Sequence, residues 1–312
     1  MSIVSAPPEG GAVARHRGDV VFRGVARAAA GLIVLALAGV GIFLTLEGMP
    51  ALSASHAQLG EDNIVLYVWP LLFGTILAAV IALVVAAPLS IGLALVISHY
   101  APRRAAKPIG YAIDLLAAVP SVVYGLWGIQ FFGPRLAPAY EWLEDHLGFL
   151  PFFEGPASTT GRTILTASLV LAIMALPIIT AICREIFAQT PRLEQEAALA
   201  LGATRWEMIR LTVLPYSRSG IVSATMLGLG RALGETLAVA MVLSATGVVS
   251  FNLISSVNPS TIAANVALKF PEASGVQVNI LIFSGLVLFL VTFLVNFLGR
   301  WIGARGQVKG AR

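Results

Sequence analysis

Arg231 and Glu235 stand four residues apart inside an apolar stretch, Ile221–Thr246, of a 312-residue chain in which only 12% of residues are charged. An arginine near mid-bilayer costs about 2.5–3.5 kcal/mol on insertion scales, so it should face a cavity or bundle interior and have a partner. In an unbroken helix Glu235, at i+4, shares a face with Arg231 and supplies that partner. A guanidinium also offers paired donors to the oxygens of a tetrahedral oxyanion. Two readings therefore stand side by side. The pair is a self-neutralised packing element, or it lines an anion pathway in which Glu235 orients Arg231, screens the route or takes a proton. Against the first, a packing role needs no charges, and removing both would relieve their desolvation cost. Gly228, Gly230 and Gly234 leave room for a neighbouring helix, and Gly230 to Gly234 has a helix-contact spacing.

The second cluster is a charged segment, 184–219. Thr190-Pro191 reads as a helix start, with Thr190 as cap and Pro191 at the first helical position. Glu194 and Glu196 then fall in the early turns, where the helix dipole favours acids. Leu193, Ala197, Ala200 and Leu201 form an apolar side, and Gly202 is suited to end the helix in the left-handed conformation. A second helix, Thr204–Leu214, opens on a capping threonine and is expected to stop at Pro215. Two short helices bent at a glycine make a knob that another protein can grip.

The elements that must position these residues are membrane spans. Hydrophobic residues make up 57% of the chain, far more than a solvated fold of this size needs. Six stretches are long enough to cross a bilayer as helices: Ala28–Leu46, Leu71–Ile97, Ile109–Phe132, Thr163–Ile182, Ile221–Thr246 and Ile280–Trp301. Pro88, Pro120 and Pro177 should bend theirs. Of the 20 Lys and Arg residues, all but Arg135, Arg162, Lys269 and Arg231 fall in the two tails or in the second and fourth connections. That asymmetry puts both termini in the cytoplasm. The expected organisation is a tail 1–27, a six-helix domain 28–301 containing the loop 184–219, and a tail 302–312. Asp114, near the start of the third span, is expected to pair with Arg103, Arg104 or Lys107. The external connection 133–162, rich in proline and aromatic residues, is either a docking surface or a plug over the helices.

Several chemistries are excluded. The four histidines and single Cys183 form no zinc spacing, and Cys183 reads as a small buried hydrophobe. No phosphate-binding loop of the G-x-x-x-x-G-K-[ST] type is present. An intramembrane enzyme needs a second catalytic group at membrane depth, where Glu235 stands alone. No catalytic residue, metal, cofactor or nucleic-acid partner is therefore expected.

Glu196-Ala197-Ala198, with Gly202 and then Leu214-Pro215 in register, resembles the EAA loop of bacterial ABC-importer permeases. Thr212 departs from the isoleucine usual at its position. The stretches 226–239, 118–125 and 202–207 closely resemble the phosphate-specific permease family PstC, and the likeness runs from about Ala28 to the C-terminus. The resemblance implies an all-α membrane protein of the MetI-like ABC importer permease fold in a bacterial inner membrane. It implies a phosphate pathway shared with a sister permease, PstA. It implies further that a PstB ATPase dimer hydrolyses the ATP and grips the loop, and that the binding protein PstS docks from outside. Arg231 and Glu235 match positions regarded in that family as critical for transport. The arginine-rich N-terminal tail and the long external loop favour PstC over PstA. The competing readings are an importer of another oxyanion (sulfate, molybdate or phosphonate) and a secondary anion transporter, which needs no such loop and usually shows an internal repeat.

Overall fold

The computed structural model describes residues 17–308; Arg15, Lys309 and Arg312 of the expected tails lie outside them. The described chain is helical, with one isolated bridge between Ala245 and Asn258. Helix α1 (Arg17–Gly48) leads through a short 3-10 turn and α2 (His56–Leu59) into α3 (Ile64–Leu95), which continues as a π-turn to Tyr100. Next come α4 (Arg103–Ala117), α5 (Ser121–Trp127), a π-turn (Gly128–Phe132), α6 (Gly133–Leu147) and α7 (Ile164–Ala188). The charged loop forms α8 (Arg192–Ala200) and α9 (Arg205–Met208). After a π-turn, α10 (Leu214–Gly234), α11 (Leu237–Val242), α12 (Ile262–Lys269) and α13 (Val276–Val308) complete the order.

Among the described residues, four helices are long and apolar enough to cross a membrane: Val21–Ser53, Ile64–Tyr100, Ile164–Ala188 and Val276–Gly303. They correspond to the first, second, fourth and sixth expected spans. Leu32, Leu35, Val84, Leu294 and Phe297 stand well exposed on them, as lipid-facing residues would. The third expected span, Ile109–Phe132, is not one straight helix. Arg104–Ala117 and Ser121–Leu147 meet at 90°, with Pro120 at the corner. Proline holds the preceding residue out of the helical region, so the chain turns there rather than merely kinking. The helix beyond the corner runs on through α6, which carries Glu141, Glu144 and Asp145. The fifth expected span is broken at Glu235–Thr236, between α10 and α11.

The core is the α3–α7 pair, onto which α10 packs. A row of buried alanines, Ala78, Ala79, Ala82 and Ala86, brings α3 close to Ala167, Leu171 and Ala175 of α7. The Ser90 hydroxyl donates to the Leu176 carbonyl at 3.1 Å and adds a polar link between these helices. Cys183 is fully buried here, as expected of a small hydrophobe. Side chains set where helices begin: Asn63 accepts from Leu66 N–H at 2.9 Å and Thr163 from Thr166 N–H at 3.1 Å. By contrast α1 leans mainly on α13 and lies outside the core.

Opposite the charged loop, the segments 148–163 and 244–261 are laced together. Fully buried Asn258 accepts from Ile164 N–H at 2.9 Å and donates to the carbonyls of Arg162 and Ser244. Backbone bonds join Ser158 to Ile254, Leu165 to Leu253 and Leu253 to Phe152. The long connection is thus packed against 244–261, while Trp142 and Phe149 are exposed.

Candidate functional site

Arg231 occupies the last turn of α10, and Glu235 is the first residue beyond it, with extended backbone (φ −70°, ψ 129°). The expected i to i+4 pairing therefore does not form, because the helix that would align the two side chains ends at Gly234. The two ion pairs among the described residues are His56–Asp62 and Arg184–Asp114. Among the described residues, Arg231 Nε is buried and finds no hydrogen-bond partner. Glu235 instead turns to the next helix, where its Oε1 accepts from Ala238 N–H at 3.3 Å, and the residue is only 9% exposed. Each charge thus sits at the helix end its sign favours: the cation at the C-terminus of α10, the carboxylate at the N-terminus of α11. A discontinuous helix that carries a buried charge at its break is an arrangement used at midplane substrate sites.

Two further features frame the break. The Tyr124 hydroxyl on α5 lies within electrostatic reach of Arg231 and donates to the Leu116 carbonyl in the last turn of α4, at 2.9 Å. It ties the α4–α5 corner beside the arginine. Gly125 lets α5 and α11 meet closely, since a Cβ there would lie 3.0 Å from Ala238 Cα. Tyr124 was not singled out from sequence; its place beside Pro120 in an apolar run is the signal that could have found it. The expected glycine contact face is redistributed. Gly228 packs under Ile179 of α7, whereas a Cβ at Gly230 or Gly234 would meet nothing within 4 Å.

The charged loop is two helices bent at a glycine. Helix α8 starts one residue later than expected: Pro191 is its N-cap, and the buried Thr190 hydroxyl has no partner. Gly202, at φ +90°, closes α8 by donating to Leu199 O at 3.0 Å, while Ala203 N–H donates to Ala198 O at 3.2 Å. That pair of bonds is the Schellman closure. No residue of α8 is fully buried: Glu196 and Ala197 are exposed, Ala198 is half-buried, and Leu193 and Leu201 are 80% and 90% exposed. The expected apolar side thus faces away from the chain. Thr204 opens α9 with a reciprocal capping box to Glu207. Those Thr204 bonds, backbone first and then hydroxyl, hold the Glu207 carboxyl below its ordinary range.

Pro215 does not stop the second helix. The π-turn Ile209–Val213 carries the helical backbone past it, placing Pro215 in the first turn of α10, where its missing N–H matters little. Ile209 and Val213 are fully buried, Leu214 packs against the core, and the Thr212 hydroxyl is satisfied by Met208 O at 2.8 Å. The result is one helical rod from Arg205 to Gly234, about 45 Å long at 1.5 Å per residue. It joins the loop to Arg231 through continuous helical backbone. Asp114, finally, meets Arg184 of α7 at 3.4 Å; of the expected partners, the Arg103 side chain lies outside the described residues and Arg104 and Lys107 make no ion pair with it.

Long apolar helices with exposed apolar faces, a half-buried arginine at a helix break and a protruding bent loop describe a multi-pass membrane protein. Residues 86–306 match the family of binding-protein-dependent transport system inner membrane components. The chain belongs to that family of ABC importer permeases, within its PstC group. It is 45% identical to the phosphate transport system permease protein PstC 2 of Mycobacterium tuberculosis, over 95% of this chain and 94% of that one. It is 41% identical to PstC of Pasteurella multocida, over 77% of this chain and 75% of that one. Among solved structures, a bacterial alginate ABC transporter in complex with an alginate pentasaccharide-bound periplasmic protein aligns with a TM-score of 0.63 at 14% identity, covering 93% and 96% of the two chains. The inward-facing MetNI methionine ABC transporter gives 0.51 at 18% identity, covering 78% and 95%. At those identities the structures speak for the fold.

Proposed function

We propose that the chain is the PstC-type half of an ATP-driven importer of inorganic phosphate in a bacterial inner membrane. The observation that carries this reading is the buried, unpaired Arg231 Nε at the end of a broken helix, in a chain 45% identical to a phosphate permease. An arginine without a carboxylate partner keeps its donors for a tetrahedral oxyanion, whereas a packing pair would be neutralised internally. The broken α10–α11 segment completes the sixth crossing, with both termini in the cytoplasm as the basic residues require. A sister permease of the PstA type covers the open face at Gly230 and Gly234. A PstB-type ATPase dimer grips Glu196, Ala197, Ala198, Gly202, Leu214 and Pro215, and a PstS-type binding protein delivers phosphate at the opposite face.

The mechanism follows from the rod. When the ATPases close on α8, α9 moves with them, and the helix through Leu214 carries the movement to Arg231. Glu235, anchored on α11, does not travel with that rod, so the distance between the two charges changes with each stroke. Arg231 can then hold the anion in one state and release it in the other, as a pathway must. The chain itself performs no covalent chemistry; ATP is hydrolysed in the separate subunit. Uptake of phosphate into vesicles holding all four subunits, with sulfate as competitor, tests the assignment. Equal inhibition by sulfate would favour a general oxyanion importer. Arg231→Gln should abolish uptake while the complex still assembles, and loss of assembly would return Arg231 to a packing role.

A further inference from the structure

A polar cavity lies away from Arg231, on the face that carries α8. It has a volume of about 570 Å³ and is walled by the end of α3, by α4, by the last turns of α7 and by the first turn of α8. Its charges are Lys107, Arg184 and Arg192 against the single carboxylate Asp114, which Arg184 already holds. His99 adds an imidazole whose Nδ1 is buried without a partner. Thr190, 97% buried, lines the same cavity, and its hydroxyl makes no hydrogen bond within the chain. Buried polar atoms left unsatisfied in one cationic cavity mark a place where a ligand completes the bonding. The arginine is also seated deliberately: a Cβ at Gly110 would fall 2.1 Å from Arg184 Nη1, so only glycine admits the guanidinium over α4.

We infer that this cavity binds the phosphate group of an anion at the coupling face, separately from the translocation route. Two cations beyond the internal ion pair, an orphan hydroxyl and the positive end of the nine-residue α8 are the donors a phosphate oxygen surface requires. The space exceeds one phosphate ion and accommodates a phosphate ester. Helix α4 supplies the membrane context. It turns 90° from the span that follows, and its Tyr111 and Leu115 are 69% and 70% exposed, as on a helix lying along an interface. A lipid headgroup and free cytoplasmic phosphate both carry this chemistry. Because Arg184 is in the last turns of α7 and Arg192 in the first turn of α8, an occupant would fix the angle at which the loop leaves the core.

The test uses the full chain in nanodiscs, carrying Arg231→Gln so that phosphate on the translocation route does not contribute. One arm measures radiolabelled inorganic phosphate binding in phosphatidylcholine nanodiscs. The other measures retention of phosphatidylglycerol from mixed nanodiscs by native mass spectrometry. Thr190→Val and Lys107→Gln should each weaken binding about tenfold, the loss expected for one charge-assisted hydrogen bond. In bare phosphatidylcholine, Thr190→Val should also raise the thermal midpoint, since it removes an unsatisfied hydroxyl without changing shape. A variant-sensitive signal in the first arm identifies free phosphate; one in the second identifies a headgroup. Binding insensitive to both substitutions, or absent from both arms, overturns the site. Failure of phosphate uptake with an intact pocket signal would instead count against the transport assignment alone.

Discussion

Replacing Gly202 should loosen the grip of the loop without touching its contact surface. At φ +90° the residue lies where an L side chain costs about 1–2 kcal/mol. A Cβ built there meets nothing within 4 Å, so the whole penalty is backbone strain and none of it is collision. The bend is held by the bonds from Gly202 to Leu199 and from Ala203 to Ala198, and the strain acts directly against them. A penalty of that size shifts the balance between bent and straightened loop about five- to thirtyfold. Asn tolerates this region better than Ala, so Gly202→Asn should fall between wild type and Gly202→Ala, with Gly202→Asp also impaired. The assay is phosphate taken up per ATP hydrolysed in the reconstituted complex, read beside hydrogen exchange at the Gly202 and Ala203 amides. Both should worsen in the same order. Normal coupling in Gly202→Ala together with raised amide exchange would refute the idea that the bend carries the stroke.

Glu207 predicts a pH dependence. Its carboxyl is held below the ordinary range, so the α9 cap is fully formed above the unfolded carboxylate range and is lost as pH falls through the depressed value. Hydrogen exchange at α9 should rise on acidification, and Thr204→Ala should move that rise to higher pH. Asn258→Ala removes three hydrogen bonds from a fully buried site and should destabilise by about 3–5 kcal/mol, seen as a lowered thermal midpoint. Gly228→Ala drives a Cβ to 2.5 Å from Ile179 Cδ1 and should cost about 1–3 kcal/mol, whereas Gly230→Ala, with open space around it, should be neutral in the isolated chain. A Gly230→Ala change that disturbs only the assembled complex would place a partner on that face.

The helical class, four of the spans and the bent loop were legible because each rests on local chemistry. Apolar length gives the spans, and Thr204 with Glu207 gives the cap. Gly202 gives the stop, since no other residue fits that conformation as cheaply. What was misread depends on competition between local preference and packing. Pro215 looks like a terminator, but burial of Ile209 and Val213 keeps the chain helical around it, and a π-turn absorbs the misfit. Pro120 looks like a kink and is a right-angle corner. Arg231 and Glu235 look like neighbours on one face, and that inference holds only while the helix does. Three glycines in seven residues, each worth about 1 kcal/mol against helix relative to Ala, were the warning that it would not. Asp114 found Arg184 instead of its own neighbours because a corner brings α4 across to α7, which no spacing along the chain reveals.

The π-turn at Ile209–Val213 has a consequence for the phase of the rod. A π-turn holds one residue more than the α-turn it replaces, and each residue of an α-helix advances the side chains by about 100°. Were the same residues wound as ordinary α-helix, everything beyond Val213 would be rotated by roughly a quarter turn; the π-turn absorbs its extra residue within one turn and removes that offset. With that offset Arg231 would face a different neighbour even with every local contact of the loop preserved. The π geometry works as an index mark: deleting its extra residue should leave Arg231 in phase, whereas straightening the turn at constant length should not.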